Sequence, residues 1–194
     1  SWHYKKYANM WRITDDLWDK WPDVKAMFAR CELWQDHVEA GCYPDCDMLP
    51  LGQLGSGFGH GAWSCRLTRE EQRTMVTLWC LFGSPLMVGA ELTELDDWTL
   101  SLLTNREVLA MLPARPRQLR CTEEEAVWTA GDGTYLALFN LADSLRTVSV
   151  SESECSGLSR GGTELWTGKE APVAAGRLAV TLGEHSCAVY RMKQ

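Results

Sequence analysis

Residues 68–89 read Thr68-Arg-Glu-Glu-Gln-Arg-Thr-Met-Val-Thr-Leu-Trp-Cys-Leu-Phe-Gly-Ser-Pro-Leu-Met-Val-Gly89, and their pattern decides the fold. Thr68-Arg-Glu-Glu71 is a capping box. The threonine hydroxyl can accept the amide three residues on, and the glutamate can reach back to the threonine amide. Met75, Leu78, Trp79 and Phe82 then recur at helical spacing and form an inner stripe. The helix gives way to Ser84-Pro-Leu-Met-Val-Gly89, a short apolar segment that ends in a loop. A one-faced helix joined to a short buried strand is the unit of an α/β protein built on a parallel sheet.

The same alternation extends outward. Residues 22–38 start with Pro22 at a favourable first-turn position and carry Val24, Met27, Phe28, Cys31 and Trp34 on one face. Another apolar segment ends at Asp47-Met-Leu49. A further helix is expected from about Trp98 to Leu103. A fourth opens on a second capping box, Thr104-Asn-Arg-Glu107, and carries Val108, Leu109 and Leu112. Near residue 117 the pattern changes to strands and turns. Ala126–Ala130, a Gly-Asp-Gly turn and Thr134–Leu141 read as a hairpin. Leu145–Ser151, Thr163–Trp166, Arg177–Leu182 and Cys187–Met192 read as further strands between glycine-rich turns. The division expected is therefore 1–116 for the α/β part and 117–194 for a small antiparallel β domain of sandwich type.

Composition narrows the function. The chain has 194 residues, 45% of them hydrophobic, which is enough for real cores. The net charge of -7 speaks against a general nucleic-acid role, for which a basic patch is the usual footprint. No apolar run approaches the ~20 residues that span a bilayer, and no charged-then-apolar leader stands at the start. The eight cysteines are spread along the chain. Cys31 and Cys80 fall in helical apolar patterns, where buried free thiols are expected. Free thiols favour a cytoplasmic location, and a leader ahead of residue 1 would make the protein secreted. Cys42 and Cys46 have no second pair at ligand spacing. His3, His37, His60 and His185 are scattered, so no metal site is expected. Ten tryptophans suit either large aromatic cores or stacking against sugar faces.

Two stretches concentrate carboxylates. Ala8-Asn-Met-Trp-Arg-Ile-Thr-Asp-Asp-Leu-Trp-Asp-Lys-Trp21 combines three tryptophans, an arginine and three aspartates. Asp15 and Asp16 can be read as the cap of a helix. They can also be read as a carboxyl partly desolvated by indoles and thereby suited to donate a proton to a glycosidic oxygen. In that reading Arg12 presents a fixed fork of donors to sugar hydroxyls. The second stretch is Tyr43-Pro-Asp-Cys-Asp-Met-Leu49. Asp45 and Asp47 would face one side of a strand and could point into the mouth of a barrel, or they could cap a local turn.

These segments resemble glycoside hydrolase family 27, which contains α-galactosidases and α-N-acetylgalactosaminidases. That family has a tryptophan, an arginine, three intervening residues and then the catalytic aspartate. Counted from Trp11 and Arg12, the catalytic acid/base falls on Asp16. Asp47-Met-Leu49 resembles the end of its Asp-Pro-Asp-Met-Leu motif, and Leu78–Leu86 resembles its last barrel helix and strand. The terminal Ser186-Cys-Ala-Val-Tyr-Arg191 resembles the end of its β-sandwich. The resemblance implies the C-terminal portion of a (β/α)8 barrel followed by a sandwich. It implies Asp16 as acid/base, with Arg12, Asp47, Met48 and Trp11 binding substrate, Asp45 as structural, and no metal or organic cofactor.

The chain departs from the family pattern in three places. Tyr43-Pro-Asp-Cys-Asp47 stands where the family usually has Trp-Asn-Asp-Pro-Asp, which alters the pocket floor. Leu112-Pro-Ala-Arg-Pro116 replaces an Asn-Gln-Asp-like segment and marks a divergent branch. The family's nucleophile and the loop that separates galactose from N-acetylgalactosamine belong to earlier strands. The resemblance therefore implies a chain that is silent alone and that pairs with the other half of its barrel or with itself. A non-catalytic carbohydrate-binding or structural module is the competing class. It is supported by the tryptophans and the β domain, but it gives no reason for the Arg12–Asp16 spacing.

Overall fold

The computed structural model describes residues 2–55, 59 and 61–194. After a short helix α1 (Trp2–Tyr7), strand β1 (Met10–Arg12) leads through a loop to α2 (Trp21–Trp34), which ends in a 3-10 turn over Gln35–His37. Strand β2 (Tyr43–Asp45) then lies parallel to β1, with Met10 opposite Tyr43 and Arg12 opposite Asp45. This is a strand–helix–strand unit, and the helix buries Val24, Met27, Phe28 and Cys31 as the apolar spacing predicts. A hairpin of β3 (Gln53–Leu54) and β4 (Trp63–Ser64) precedes α3 (Arg69–Phe82).

Helix α3 starts as expected. Glu71 N donates to Thr68 Oγ1 at 3.2 Å, and Thr68 N donates to Glu71 Oε2 at 2.7 Å. It stops at Gly83, whose φ of 81° is cheap only for glycine. The chain then runs alongside the segment that follows β2. Leu49 N donates to Met87 O at 2.7 Å and Gly89 N to Leu49 O at 2.9 Å, so Leu49 and Val88 form a parallel bridge. Helices α4 (Asp97–Leu103) and α5 (Arg106–Leu109) follow. The second capping box does not form. Asn105 caps α5 by accepting Glu107 N and Val108 N, while the Thr104 hydroxyl turns back to Leu100 O. Asparagine one residue later offers the shorter reach to two amides at once.

The β domain has two sheets. One is ordered β5 (Pro116–Cys121), β6 (Glu125–Ala130), β7 (Tyr135–Asn140), β12 (Cys187–Met192), β9 (Gly162–Glu164). The other is ordered β10 (Val173–Ala174), β11 (Arg177–Leu182), β8 (Arg146–Ser151). The expected hairpin, β6 with β7, is antiparallel in register from Glu125–Asn140 to Ala130–Tyr135. Strands β5 and β10 lie outside the strands expected from the sequence; β5 begins at Pro116, the first residue of an edge strand, where proline is tolerated. Period-2 alternation sorts the five-stranded sheet into two buried faces. Val127, Leu136, Leu138 and Tyr190 meet Val148, Val150 and Leu178 of the second sheet. Ala126, Trp128, Phe139 and Val189 pack instead with Phe28, Trp79 and Phe82 of α2 and α3. Phe28 and Phe139 meet edge to face at 4.9 Å. The sheet is thus the shared floor of both cores. All eight cysteines are free, with Cys31 and Cys80 fully buried.

Candidate active site

The segment around Asp16 is a strand and a loop, not a capped helix. β1 alternates, so Trp11 is buried at 7% exposure while Met10 and Arg12 face out on the other side. Trp11 stacks on Tyr4 at 5.7 Å and tilts against Trp34 at 5.9 Å. It therefore supports the strand from behind and is not brought to the Arg12 side.

Arg12, Asp16 and Asp47 do come together. The Arg12 Nη2 group donates to Asp16 Oδ1 at 2.7 Å and lies 3.6 Å from Asp47 Oδ2. Arg12 Nε donates to Thr14 O at 3.0 Å, which turns the guanidinium toward its own loop. Asp47 accepts the Leu17 amide at 2.8 Å, so the aspartate after β2 holds the loop that carries Asp16. Parallel pairing explains the meeting. With Arg12 opposite Asp45, the residues just past both strands leave the sheet at the same end.

Asp47 itself has φ 76°, a left-handed conformation that costs a non-glycine residue energy. The neighbours hold it there. Trp79 Nε1 donates to Asp47 O at 3.0 Å, Asp47 N donates to Asp45 Oδ1 at 2.9 Å, and Cys46 N donates to Ser84 Oγ at 2.9 Å. Met48 leans over Gly89, where a side-chain carbon would sit 2.7 Å from the sulfur. The glycine makes room for the methionine.

The electrostatics differ from the expectation. The Asp16 side chain is 79% exposed, and its neighbour is a cation rather than an indole. The group that burial does perturb is Asp45, whose pKa is raised by desolvation against the opposing hydrogen bond from Asp47 N and the charge of Arg12. The Arg12 guanidinium is held above its ordinary value, first by the hydrogen bond to Asp16.

Asp19 is a residue that sequence reading passed over. It is 2% exposed. Its Oδ2 accepts Trp63 Nε1 at 3.1 Å and Arg66 N at 2.9 Å, pinning the Asp16 loop to the β3–β4 hairpin. Its only signal was a third aspartate three residues beyond Asp16. Asp15 is exposed and makes no side-chain hydrogen bond among the described residues. No group of three or more His, Cys, Asp or Glu side chains is placed to hold a metal among the described residues, and His60 lies outside them.

Comparison with known proteins settles the family. The profile described as alpha galactosidase A matches residues 2–113, and that of the alpha galactosidase C-terminal beta sandwich domain matches residues 123–192. The chain belongs to the α-galactosidase-like glycoside hydrolases of family 27. A family 27 β-L-arabinopyranosidase from Geobacillus stearothermophilus shares 39% identity with a TM-score of 0.90, covering 98% of this chain and 46% of that one. A putative α-N-acetylgalactosaminidase from Bacillus halodurans shares 34% with a TM-score of 0.81, covering 93% and 46%. The α-galactosidase of Cyamopsis tetragonoloba is 28% identical over 197 residues, covering 96% of this chain and 45% of its own length. The chain thus spans about half the length of these family members.

Proposed function

We propose that this chain supplies the acid/base side of a retaining glycosidase that cleaves terminal β-L-arabinopyranosides or α-galactosides. One observation carries the reading: Arg12, Asp16 and Asp47 converge where two adjacent parallel strands end. In (β/α)8 barrels, catalytic groups stand at the carboxyl ends of the strands. On this reading residues 1–116 form the C-terminal part of such a barrel and residues 117–194 its sandwich. Met10 and Tyr43 are 47% and 42% exposed on strands that have only each other as partners among the described residues, which suits a sheet continued by further strands. Those strands would come from the rest of a longer chain or, failing that, from a second copy.

The mechanism divides the work by residue. Asp16 protonates the leaving oxygen and then, as carboxylate, takes a proton from the water that completes the second step. A nucleophilic carboxylate ~5–5.5 Å away opens the first step in retaining enzymes, and it is assigned here to the part of the relatives that this chain does not span. Arg12 and Asp47 bind ring hydroxyls, with Met48 against the ring. In the unliganded site Arg12 holds Asp16. A sugar between them takes over the guanidinium donors and frees Asp16 to face the glycosidic oxygen. The arabinopyranoside assignment rests on the 39% identity to the Geobacillus enzyme. The alternative sugar presents the same ring hydroxyls with one hydroxymethyl added.

In the enzyme complete with its nucleophile, Asp16→Asn is expected to abolish most turnover of substrates with poor leaving groups. Aryl glycosides, which need less protonation, should keep their first step. Equal retention of turnover on both substrate types would remove Asp16 from the acid/base role. The chain by itself is expected to be silent toward both.

A further inference from the structure

A cavity of about 360 Å3 opens at the edge of the sandwich and shares no lining residue with the Arg12 cluster. Strand β9 pairs with Tyr190–Met192 and then ends; beyond it Leu165 N donates to Val189 O at 2.8 Å, but among the described residues no strand pairs with Cys187–Val189 on that side. Trp166, from the loop after β9, and Arg73, from α3, wall the opening together with Tyr190. The volume falls in the range of small-ligand pockets, roughly 300–1,000 Å3.

The polar groups here are held in place, and some of their donors are left over. The Trp166 indole N–H donates to Thr77 Oγ1 at 3.0 Å, which sets the plane of the ring. Arg73 donates through Nη1 alone, to Glu70 at 2.8 and 3.0 Å, and lies over the Trp98 and Trp166 rings at 5.2 and 5.6 Å. Its Nη2 has no partner among the described residues. Tyr190 is 3% exposed, yet its hydroxyl makes no hydrogen bond among the described residues. Burial, then the charge of Glu164, pushes this phenol up, so it stays protonated and able to donate.

An apolar wall with a few oriented, unmatched polar groups is how ligand pockets are built. An aromatic platform takes the C–H face of a ring, and free N–H and O–H groups meet its hydroxyls. Glu164 and Glu170 balance Arg73 and Lys169 around the same space, so no net charge draws an anion. We propose that this cavity is a second carbohydrate site that takes one neutral pyranose ring, with Trp166 as platform and with Tyr190 and Arg73 as hydrogen-bond partners. It needs no catalytic role for Asp16 and stands apart from the proposed reaction.

The test is calorimetric titration of the chain with methyl α-D-galactopyranoside, L-arabinose and D-glucuronate, repeated for Tyr190→Phe, Val180→Trp and Arg12→Ala. A neutral sugar should bind saturably in the wild type. Tyr190→Phe removes only an unpartnered hydroxyl, so the fold and its Tm should be kept while the sugar binds about fivefold more weakly, the loss of one neutral hydrogen bond. Val180→Trp should fill the cavity and abolish this binding, whereas Arg12→Ala, which alters the proposed reaction site, should not remove the component that Tyr190→Phe weakens. Binding lost in Arg12→Ala but intact in Tyr190→Phe would put the sugar at the Arg12 cluster and overturn the proposal while leaving the glycosidase reading in place. Preference for glucuronate, or no neutral-sugar binding at the solubility limit, would overturn it as well.

Discussion

The five-stranded sheet of the β domain and the parallel pair β1–β2 place their apolar residues very differently. In the former, β6 and β7 have a strand on both sides and β12 has one over part of its length, and residues on both faces are buried: Val127 and Leu138 toward the second sheet, Trp128 and Phe139 toward the helices. In the latter, only one face is closed. Trp11 is buried behind β1, but Met10 and Tyr43 are 47% and 42% exposed in front. Stability is therefore concentrated in the floor shared by the sandwich and helices α2 and α3. The open face is where the charged side chains of the candidate site gather. A surface left unfilled by local packing is available for ligand and for further chain. The cost is that the site geometry depends on hydrogen bonds rather than on close packing.

The sharpest way to break this comparison is to truncate one side chain from each region. Phe139 is fully buried and meets Phe28 edge to face. Phe139→Ala is expected to cost ~3–5 kcal/mol, because it removes a large buried ring and leaves a cavity between sheet and helix. Met10→Ala should stay within ~0.5 kcal/mol, as exposed substitutions do. Urea unfolding of the two variants measures both. Equal shifts in midpoint would show that the two regions do not differ in the way described.

A smaller effect is expected at the boundary between the regions. Trp79 is fully buried in the shared core, yet its indole N–H reaches out to Asp47 O at 3.0 Å. Trp79→Phe keeps an aromatic ring and removes that bond, with an expected cost of ~1–3 kcal/mol from the unmatched carbonyl and lost volume. The informative readout is local. The amide of Leu17, which donates to Asp47, should exchange faster with solvent in Trp79→Phe than in the wild type. Unchanged exchange at Leu17 would mean that the left-handed Asp47 holds itself without Trp79.

Much of this was legible from residues. The capping box at Thr68 and the helical stripes located α2 and α3, because both signals are local in sequence. Arg177–Leu182 and Cys187–Met192 were placed to the residue, since glycine-rich turns bound alternating strands. The four-residue spacing of Arg12 and Asp16 is plain in the sequence, but on a strand and loop that spacing does not fix their contact, and the supposed desolvation of Asp16 by indoles is not found. Strand alternation turns Trp11 away from Arg12, and nothing in a list of neighbours along the chain shows which face a strand buries. The roles of Asp19 and Trp79 were invisible for a different reason. Their partners, Trp63 and Asp47, lie 44 and 32 residues away and are found only by folding. The β5 strand, Pro116–Cys121, carries no sustained apolar alternation, so no period-2 signal marks it.

The smallest expected effect separates burial from charge pairing inside the site. Asp45 is 5% exposed, and desolvation raises its pKa despite the amide of Asp47 and the charge of Arg12. A carboxyl whose folded pKa lies above the unfolded value of ~3.9 binds its proton more readily when folded. Its contribution therefore favours folding at low pH and is lost as pH rises from the unfolded value through the folded one. Asp45→Asn keeps the Oδ1 acceptor for Asp47 N and removes the buried charge. Relative to wild type, the variant should gain stability as pH is raised from ~4 to ~7, with the two chains closest at the acid end. Thermal unfolding across that range measures the difference. If the variant instead loses stability toward neutral pH, the attraction between Asp45 and Arg12 outweighs burial, and the open face of the parallel pair is held together by charge after all.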